Sequence, residues 1–382
     1  MRGLALIVFA ASAGFVLYVL FGYPLLLWLL ARGKSRPMVV RPERKTVSVL
    51  LPVRNGEPWI AAKLRSILQL DYPPELIEII VISNGSEDRT DEIVRGFLPR
   101  GVHLLHLDQG GKAEALNEGM EASRGEILFF TDVRQELAPD CLKKLVDCFA
   151  DPQVGVVSGE LVIRDGSLDE EASIGLYWKY EKWIRRSQGR IDSIIGATGC
   201  CYAMRRELAV PIPPGTLLDD VYLPLAAFFR GYRIILTGAK AFDSPTTLNT
   251  EFARKVRTLA GVYQVIARYP ALLGPANRMW IHFMSHKLGR LLVPYALIAM
   301  AVCAWWLPSF WAPLALAAQA SLYALAMLDL LLREGFPLKR LSSPARTFVV
   351  LMAASFCAIS ICFHPAEALW RKPAAKSRSS AA

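Results

Sequence analysis

Charged residues are absent from two long stretches of this chain. There is none from Gly3 to Ala31 and none from Leu291 to Leu328. A helix needs about 20 predominantly apolar residues to span a bilayer, so both stretches are long enough. The first predicts one membrane helix. A cleaved signal peptide is the less favoured alternative, because its apolar core runs to about 7–15 residues. The second is broken by Pro308 and Pro313 and predicts a hairpin of two spans.

A shorter apolar segment, Thr347 to Phe363, follows the hairpin. If it crosses the membrane after two other crossings, the basic residues behind it lie outside, against the positive-inside rule. The segment is therefore a third span, a re-entrant segment or an interfacial helix, and the sequence leaves these alternatives open. The predicted division of the chain is a membrane helix at 1–32, a central domain at 46–270, an interfacial segment at 271–290, a membrane region at 291–364 and a basic tail at 365–382.

Positive charge is concentrated just after the first apolar stretch. Residues 32–45 carry six basic side chains and one acidic one, Glu43, whereas Arg2 is the one charge before that stretch. The positive-inside rule then places the central domain in the cytoplasm. The seven cysteines show no framework spacing, and an odd count favours free thiols, as in a reducing compartment.

Several common sites lack their sequence signatures. There are five histidines, and no cysteine–histidine spacing of the zinc type, Gly-x-Gly-x-x-Gly motif or Walker loop occurs. The formal net charge of +10 would suit nucleic acid or anionic lipid. Because much of that charge flanks the apolar stretches, membrane lipid headgroups are the better partner, and no nucleic acid is expected.

The central domain alternates short apolar runs with segments of helical periodicity. Buried strands are predicted at Val47–Leu51, Ile77–Ile82, Val102–Leu107, Ile127–Thr131 and Val154–Ser158, and most are separated by helices. This pattern predicts an α/β domain with a mostly parallel, Rossmann-like sheet. Asp132 follows the fourth strand directly, at the edge where open α/β sheets bind ligands.

A series of motifs follows this pattern in order. They are Leu51–Asn55, Ser83–Asp88, Gly111–Asn117, Thr131-Asp132, Tyr177–Glu181, Gly196–Gly199, Tyr202–Arg206 and Leu218–Asp220. Together they resemble the motifs of family 2 inverting glycosyltransferases with a GT-A fold, over roughly residues 46–270. The resemblance is to the membrane-anchored, bacterial exopolysaccharide and cellulose-synthase-like branch, and it implies the bacterial inner membrane as the location. It implies a nucleotide-sugar donor, a polysaccharide or lipid-linked acceptor, and other polysaccharide-synthesis or export proteins as partners.

The resemblance assigns residues to the donor. Pro52, Val53, Arg54 and Asn55 would lie along the base and ribose, and Asn84 would meet the edge of the base. The family commonly has Asp at the end of the second strand, where Asn84 stands. Because Asn offers both an acceptor and donors, the preference for one base is less sharply defined. Lys112 precedes a predicted helix, where a cation and backbone N–H groups suit phosphate.

Asp132 and Arg134 mark the main departure from the family pattern. The family usually has a second Asp where Arg134 stands, and the two carboxylates hold Mg²⁺ or Mn²⁺ on the diphosphate. Mg²⁺ often uses one or two carboxylates together with phosphate and water, so Asp132 could hold the metal alone. The alternatives are that Arg134 contacts phosphate directly through its planar fork, or that activity is lost.

The remaining assignments concern catalysis and the acceptor. By resemblance, Asp220 is the general base, Arg254 and Arg257 offset the charge of the leaving diphosphate, and Asp219, Gly199 and Trp178 face the acceptor. Asp219 and Asp220 could instead cap the helix that begins there. The aromatic set around Trp178 could equally pack an amphipathic helix on the membrane side.

The expected function is transfer of a sugar, with inversion, from a nucleotide-diphospho-sugar to a polysaccharide or glycolipid at the membrane. The donor is expected to be uridine-linked. One alternative is transfer of a single sugar to a lipid, such as a polyprenyl phosphate or a ceramide-like acceptor. An alternative of another functional class is a catalytically silent, nucleotide-sugar-binding subunit of a polysaccharide-synthesis complex. The replacement of the usual second Asp by Arg134 favours this alternative.

Overall fold

A computed structural model describes residues 1–33, 36–108, 110–163, 169–244, 248–333 and 335–365, and the side chains of residues 169–178 and 248–251 lie outside the description. Within these residues, the α/β domain and the apolar helices on either side of it are confirmed.

The first half of the domain is a parallel sheet with helical connections. Its strands lie in the order β3-β2-β1-β4, and each adjacent pair is parallel. The elements are β1 (Val47–Val53), α3 (Ile60–Leu68), β2 (Ile77–Asn84), α4 (Thr90–Arg95), β3 (Val102–Leu107), α5 (Lys112–Ala122) and β4 (Ile127–Phe130), after two N-terminal helices, α1 (Arg2–Leu17) and α2 (Tyr23–Gly33).

The second half makes the sheet mixed. Strand β7 runs antiparallel to both β4 and β6, β6 pairs in parallel with β8, and the short β5 is antiparallel to β8. The sequence pattern identified β6 but gave no signal for β5, β7 or β8. The elements are β5 (Glu136–Leu137), α6 (Cys141–Val146), β6 (Val154–Ile163), α7 (Asp169–Ile191), β7 (Tyr202–Arg205), α8 (Asp219–Phe229), β8 (Arg233–Asp243) and α9 (Leu248–Arg268).

The central strands are buried on both faces. Side chains of β1 alternate between two apolar clusters, with Val49 and Leu51 in one and Leu50 in the other. A run of apolar residues without alternation is what a strand covered on both faces requires. Strand β1 extends to Val53, two residues beyond the predicted end. Its pairing with β4 stops at Leu50, so Pro52 lies where only β2 is a neighbour on the sheet.

Among the described residues, four helices are long and apolar enough to cross a membrane. The first comprises α1, a π-helical turn (Tyr18–Gly22) and α2. The second spans Trp280–Ala304 and comprises α10 (Trp280–His282), a π-helical segment (Phe283–Leu288) and α11 (Gly289–Ala304). The others are α12 (Trp311–Leu328) and α13 (Lys339–Cys357), the latter continued by a 3₁₀ turn (Ala358–Cys362).

The second apolar helix begins at Trp280, inside the segment predicted to be interfacial, rather than at Leu291. Its first turns carry His286, Lys287 and Arg290, which ended the charge-free run in the sequence. Arg290 and His286 both reach Glu181 of α7, at 2.6 Å and 3.3 Å. Because Glu181 of the α/β domain compensates these groups, the helix can start before the apolar run does.

The α/β domain packs on the apolar helices through α7 and α9. Tyr23 and Leu27 of α2 pack against Ile184 of α7, together with Tyr180 and Trp183. Helix α9 packs against α13 and the turn that follows it. The domain and the apolar helices therefore share an extended interface.

Candidate active site

The carboxyl ends of β1, β2 and β4 bring the first predicted donor residues to one edge of the sheet. Asn55 has a positive φ of 53°, a conformation that Asn tolerates better than most residues. Its side-chain oxygen accepts a hydrogen bond from the N–H of Glu87 at 2.8 Å, and its own N–H donates to Ser86 at 3.2 Å. The loop after β1 is thus fixed to the loop after β2.

Asn84 ends β2 and is 7% exposed. Its Nδ2 donates to the carbonyl oxygen of Gly110 at 2.8 Å. Its Oδ1 is buried and, within the described part of the chain, accepts no hydrogen bond. A buried acceptor without a donor costs free energy, so this oxygen is available to an N–H group of a bound base. Of the other predicted donor residues, Arg54 is exposed, whereas Val53 belongs to the core.

Lys112 connects the two acidic motifs. It begins α5, and its Nζ lies 3.1 Å from Asp132 and 3.2 Å from Asp219. Burial disfavours its charge, but the carboxylates outweigh burial and raise the pKa of Lys112. Burial likewise opposes ionisation of Asp132, and Lys112 reverses this, so the pKa of Asp132 is lowered. Asp132 and Lys112 are charged together, and the lysine lies between the end of β4 and the start of α8.

Lys63 lies beneath this point and was not identified from the sequence. It is 1% exposed, and its Nζ donates to Thr131 Oγ1 at 2.6 Å and to the carbonyl oxygen of Gln135 at 2.7 Å. Burial lowers the pKa of Lys63 to about 8, and the charge of Asp132 is among the effects that oppose the shift. The lysine fixes the segment that carries Asp132. The only sequence signal was an i,i+4 position on the apolar face of α3, next to Ile60, Leu64 and Ile67.

Arg134 is held by a partner that the sequence did not indicate. Its guanidinium lies 2.6 Å from Asp243 at the end of β8, and Gln135 donates to the same carboxylate oxygen at 2.8 Å. The carboxylate of Asp243 is 3% exposed, so it needs this compensation. Arg134 therefore has a structural role in this arrangement, whatever it does when a donor is bound.

A divalent cation at this site would have one protein carboxylate available. No group of three or more His, Cys, Asp or Glu side chains with metal-binding geometry occurs among the residues described. Asp132 is 39% exposed, at the strand end and inside the cleft. One carboxylate together with diphosphate oxygens and water is a set that Mg²⁺ accepts, so the donor chemistry fits a metal bound jointly by protein and substrate.

Asp219 and Asp220 are the first two residues of α8. Neither caps the helix, because Leu218 occupies the cap position and no side chain bonds there. Asp219 is committed to Lys112 instead. Burial, then the neighbouring charge of Asp219, raises the pKa of Asp220 to about 6. A carboxylate with this pKa is mostly ionised at pH 7 yet is a stronger base than an ordinary aspartate.

Gly199 lies directly against this base. A Cβ atom at position 199 would be 3.0 Å from Oδ2 of Asp220. The backbone of the same loop is fixed to α8, because the N–H of Ala197 donates to the carbonyl oxygen of Asp220 at 2.7 Å. Glycine at this position therefore leaves space beside the carboxylate, where an acceptor hydroxyl could approach.

These residues line one cleft of about 330 Å³. Asp132 and Lys112 lie in its wall with the acidic pair of α8, and α9 contributes Arg254, Lys255 and Arg257. Burial lowers the pKa of Arg257, and the charges of Asp132 and Asp220 oppose that shift, so the guanidinium lies within electrostatic reach of both acids. Of the predicted set, the cleft brings together Gly199, Lys112, Asp132, Asp219, Asp220, Arg254 and Arg257.

The cleft also extends to residues that were not predicted as site residues. The apolar helices contribute Phe283, His286, Lys287, Arg290, Leu351, Met352 and Ser355, and the α/β domain adds Glu181 and Arg185. Glu181 is the last residue of the motif Tyr177–Glu181, and Arg290 is the last charged residue before the second apolar run. The sequence assigned neither of them a role. Trp178 lies in α7 with its side chain outside the description, while Tyr180 and Trp183 pack on α2, as the amphipathic-helix alternative expects.

Comparisons with known proteins agree with this geometry. Residues 48–210 match the model of Glycosyl transferase family 2. An N-acetylglucosaminyltransferase of Rhizobium meliloti is 25% identical over 305 residues, 71% of this chain and 70% of the relative. A poly-beta-1,6-N-acetyl-D-glucosamine synthase of Staphylococcus epidermidis is 32% identical over 173 residues, 42% of this chain and 41% of the relative.

Among solved structures, a mannosyltransferase of Pyrobaculum calidifontis, determined in complex with GDP-Man and Mn²⁺, superposes with a TM-score of 0.71 at 24% identity. The match covers 95% of this chain and 99% of that one, so the two share their fold, including the GT-A-like domain. Residues 48–210 therefore form a family 2 glycosyltransferase domain, and the names of the relatives agree with glycosyltransferase activity.

Proposed function

We propose that this membrane glycosyltransferase transfers a sugar from a uridine-linked nucleotide sugar, with inversion, to a polysaccharide or glycolipid acceptor. Transfer from a nucleotide sugar follows from the family. The observation that carries the rest is the position of Asp220, a carboxylate with a raised pKa beside the space left by Gly199. A hydroxyl acceptor needs a base within hydrogen-bond reach, and this carboxylate meets that need.

Binding of the donor begins at the sheet edge. The unpaired Oδ1 of Asn84 accepts an N–H of the base, and the loop of Arg54 and Asn55 lies along the ribose. The diphosphate then reaches Lys112, which exchanges part of its contact with Asp132 for phosphate oxygens. Arg257 approaches from α9 and offsets the charge of the leaving group.

Asp132 would hold a Mg²⁺ or Mn²⁺ ion, which would supply further charge compensation for the leaving group when bound. Asp220 takes the proton of the acceptor hydroxyl as the oxygen attacks the anomeric carbon. The bond to the diphosphate oxygen breaks from the opposite face, so the product has the inverted configuration. Asp219 holds Lys112 in place and, through its charge, keeps the pKa of Asp220 high.

The two relatives named above act, by their names, on N-acetylglucosamine. The first donor to test is accordingly UDP-N-acetylglucosamine, within a panel of uridine- and guanosine-linked sugars. The measurement is release of nucleoside diphosphate by the purified protein in lipid nanodiscs, with Asp220→Asn as the matched control. Release from one donor that depends on Asp220 supports the proposal. Binding of a donor without Asp220-dependent turnover would favour the silent-subunit alternative instead.

Transfer of one sugar to a lipid is the second candidate. It is favoured by the continuity of the cleft with the membrane helices, since Phe283, Leu351 and Met352 line it together with Asp220. Product length after exhaustive reaction separates the two functions, because a polymerase gives a ladder of products and a single-transfer enzyme gives one product per acceptor.

A further inference from the structure

The cleft has two ends of different character. The donor end is formed by the sheet edge with Lys112 and Asp132, and Asp220 lies between the two ends. The other end is formed by α7, the π-helical segment Phe283–Leu288, the start of α11 and helix α13. π-helical segments occur frequently at functional sites. We call this second end the membrane-side pocket and define it by Glu181, His286, Lys287, Arg290 and the α13 residues Leu351–Ser355.

A fixed polar cluster forms the floor of the membrane-side pocket. Arg290 Nη1 donates to Glu181 Oε2 at 2.6 Å and lies 3.0 Å from Nε2 of His286. Burial alone would raise the pKa of Glu181, but His286 and Arg290 hold it well below its usual range. Glu181 is therefore a permanent anion that positions the guanidinium and the imidazole.

His286 has one ring nitrogen that nothing described satisfies. Its Nε2 lies 3.3 Å from Glu181 Oε2 and 3.0 Å from Arg290 Nη1, so that nitrogen is engaged by the polar cluster. The side chain is 3% exposed and lines the cleft, and its Nδ1 has no partner among the described residues. A buried ring nitrogen without a partner is costly, and a ligand that carries both hydroxyl and phosphate oxygens supplies a donor or an acceptor to it in either tautomer.

Cations outnumber carboxylates around this nitrogen. Lys182, Arg185, Lys287 and Arg290 line this part of the cleft together with Glu160 and Glu181. The charge of Lys287 also acts on Asp220, where it opposes the rise in pKa, so the lysine is close to the catalytic base. An anion bound beside Lys287 would therefore lie close to the acceptor oxygen that Asp220 deprotonates.

The pocket wall is apolar and comes from α13. Phe348 and Met352 of that helix pack against Val293 and Leu297 of α11 and Val16 of α1, within the apolar bundle. Met352 also lines the cleft, together with Leu351. The same wall therefore faces the cleft on one side and packs on the apolar helices on the other.

Both ends of α13 are fixed on the catalytic side. Gln319 of α12 donates to the carbonyl oxygen of Leu297 of α11, so these two residues lie at the same height in the antiparallel hairpin of α11 and α12. At about 1.5 Å per residue, Arg290 and Asp329 then lie roughly 10 Å and 15 Å from that level toward the same side. Lys339, at the start of α13, donates to the carbonyl oxygen of Asp329, and Ser355, near its end, approaches that of Arg290 at 3.4 Å.

We propose that the membrane-side pocket binds the acceptor, that this acceptor is an anionic lipid carrying a hydroxyl and a phosphate, and that α13 lies along the membrane boundary as its wall. The inference rests on the proposed function, because the hydroxyl must reach Asp220. A phosphate nucleophile is already ionised at pH 7 and needs no base, so the phosphate occupies the site of His286, Lys287 and Arg290 while a head-group hydroxyl is the nucleophile.

The test uses photoactivatable lipids with the full-length protein in nanodiscs. One probe is phosphatidylinositol with a diazirine in an acyl chain, which combines ring hydroxyls, phosphate and tails. The neutral probe is galactosyl diacylglycerol with the same tails. We expect the anionic probe to label the peptide around Leu351–Ser355 about tenfold more than the neutral probe does. A tenfold difference is what a charge-assisted hydrogen bond would give.

Lys287→Gln should reduce labelling by the anionic probe to the level of the neutral one. Lys179→Gln is the matched control, since Lys179 is an exposed lysine of α7 outside the cleft lining. Equal labelling by both lipids would overturn the anionic part of the inference. Competition by soluble inositol phosphate as effective as by the whole lipid would overturn the apolar wall, and labelling spread evenly over all apolar helices would overturn the site.

Donor turnover measured on the same nanodiscs separates this inference from the proposed function. Asp220-dependent release of nucleoside diphosphate without lipid labelling in the pocket would refute the lipid site and leave the glycosyltransferase mechanism intact. Absence of turnover with every donor and lipid would refute the mechanism, even if the lipid binds.

Discussion

The acidic pair at the start of α8 divides two tasks between neighbouring residues. Asp219 is bonded to Lys112, whereas Asp220 borders Gly199 and has a pKa raised to about 6. Removing a general base costs about 10²–10⁴-fold in rate. Asp220→Asn should therefore lower the transfer rate by that order with donor affinity nearly unchanged. The check is the initial rate together with the donor dissociation constant, and a wild-type rate for this variant would mean that the base lies elsewhere.

The raised pKa of Asp220 predicts a pH dependence. The base acts in its deprotonated form, so the rate at saturating donor should rise with pH through about 6 and level off above it. The charge of Asp219 is the second cause of the shift, after burial. Asp219→Asn should consequently move the inflection to lower pH, and an unchanged inflection in a full pH–rate profile would contradict the assigned coupling.

Asp132 and Arg134 differ in what they contact, and their variants should differ accordingly. Asp132→Ala removes the one available metal ligand at the strand end and should abolish the metal-dependent part of donor binding, measured by calorimetry with and without chelator. Donor binding by the wild-type protein that is equally tight in both conditions would show that the site works without the ion.

Arg134→Asp is expected to act on stability first. It leaves Asp243 buried without its partner and adds a like charge beside it, at a cost of about 1–3 kcal/mol. The double variant Arg134→Asp with Asp243→Asn removes that repulsion and supplies a second carboxylate near Asp132. We expect it to regain thermal stability and to bind metal with donor more tightly than the wild type; a double variant as unstable as the single one would contradict this account.

At the scale of the elements, the sequence pattern predicted the helices and strands whose own residues show a regular apolar pattern. Strands β1 to β4 and helix α5 are where the apolar runs and the lysine motif indicated. Strands β5, β7 and β8 were missed because their positions depend on distant partners: β7 pairs with both β4 and β6, and the two residues of β5 exist only as partners of β8. The pair of Arg134 with Asp243 was missed for the same reason, since 108 residues of chain separate Gln135 from Asp243.

Helix α13 is where the sequence left three alternatives. Hydropathy makes it a candidate span, but its contacts at both ends are with the catalytic side. An interfacial α13 also removes the conflict with the positive-inside rule that a third crossing would create for the basic residues after it in the sequence.

Sidedness of single cysteines tests the placement of α13. In a variant without the other cysteines, Cys362 lies just after the helix and is exposed. We expect an impermeant maleimide to label it from the same side as an exposed cysteine at Arg333→Cys, before the helix. Ser309→Cys, in the loop between α11 and α12, should be labelled from the opposite side. Labelling of Cys362 from the side of position 309 would show that α13 crosses the membrane.

At the scale of the whole molecule, the charge distribution and the membrane helices predict one orientation. The basic residues between α2 and β1 favour a cytoplasmic catalytic domain, where nucleotide sugars are made. The domain is joined to the membrane bundle by α7 and α9, so its side also fixes the side from which the donor enters the cleft. The native cysteines of the domain cannot report this, because Cys141 and Cys148 are buried at 0% and 1% exposure.

An engineered cysteine at an exposed position of the domain provides the measurement. Glu121 is exposed near the end of α5, outside the cleft lining. In intact cells expressing Glu121→Cys, an impermeant maleimide should leave the protein unlabelled until the membrane is permeabilised. Ser309→Cys should be labelled without permeabilisation, since a single crossing of α11 separates it from the catalytic domain. Labelling of position 121 in intact cells, with position 309 protected, would place the catalytic domain outside and would remove the cytoplasmic nucleotide-sugar pool as its source of donor.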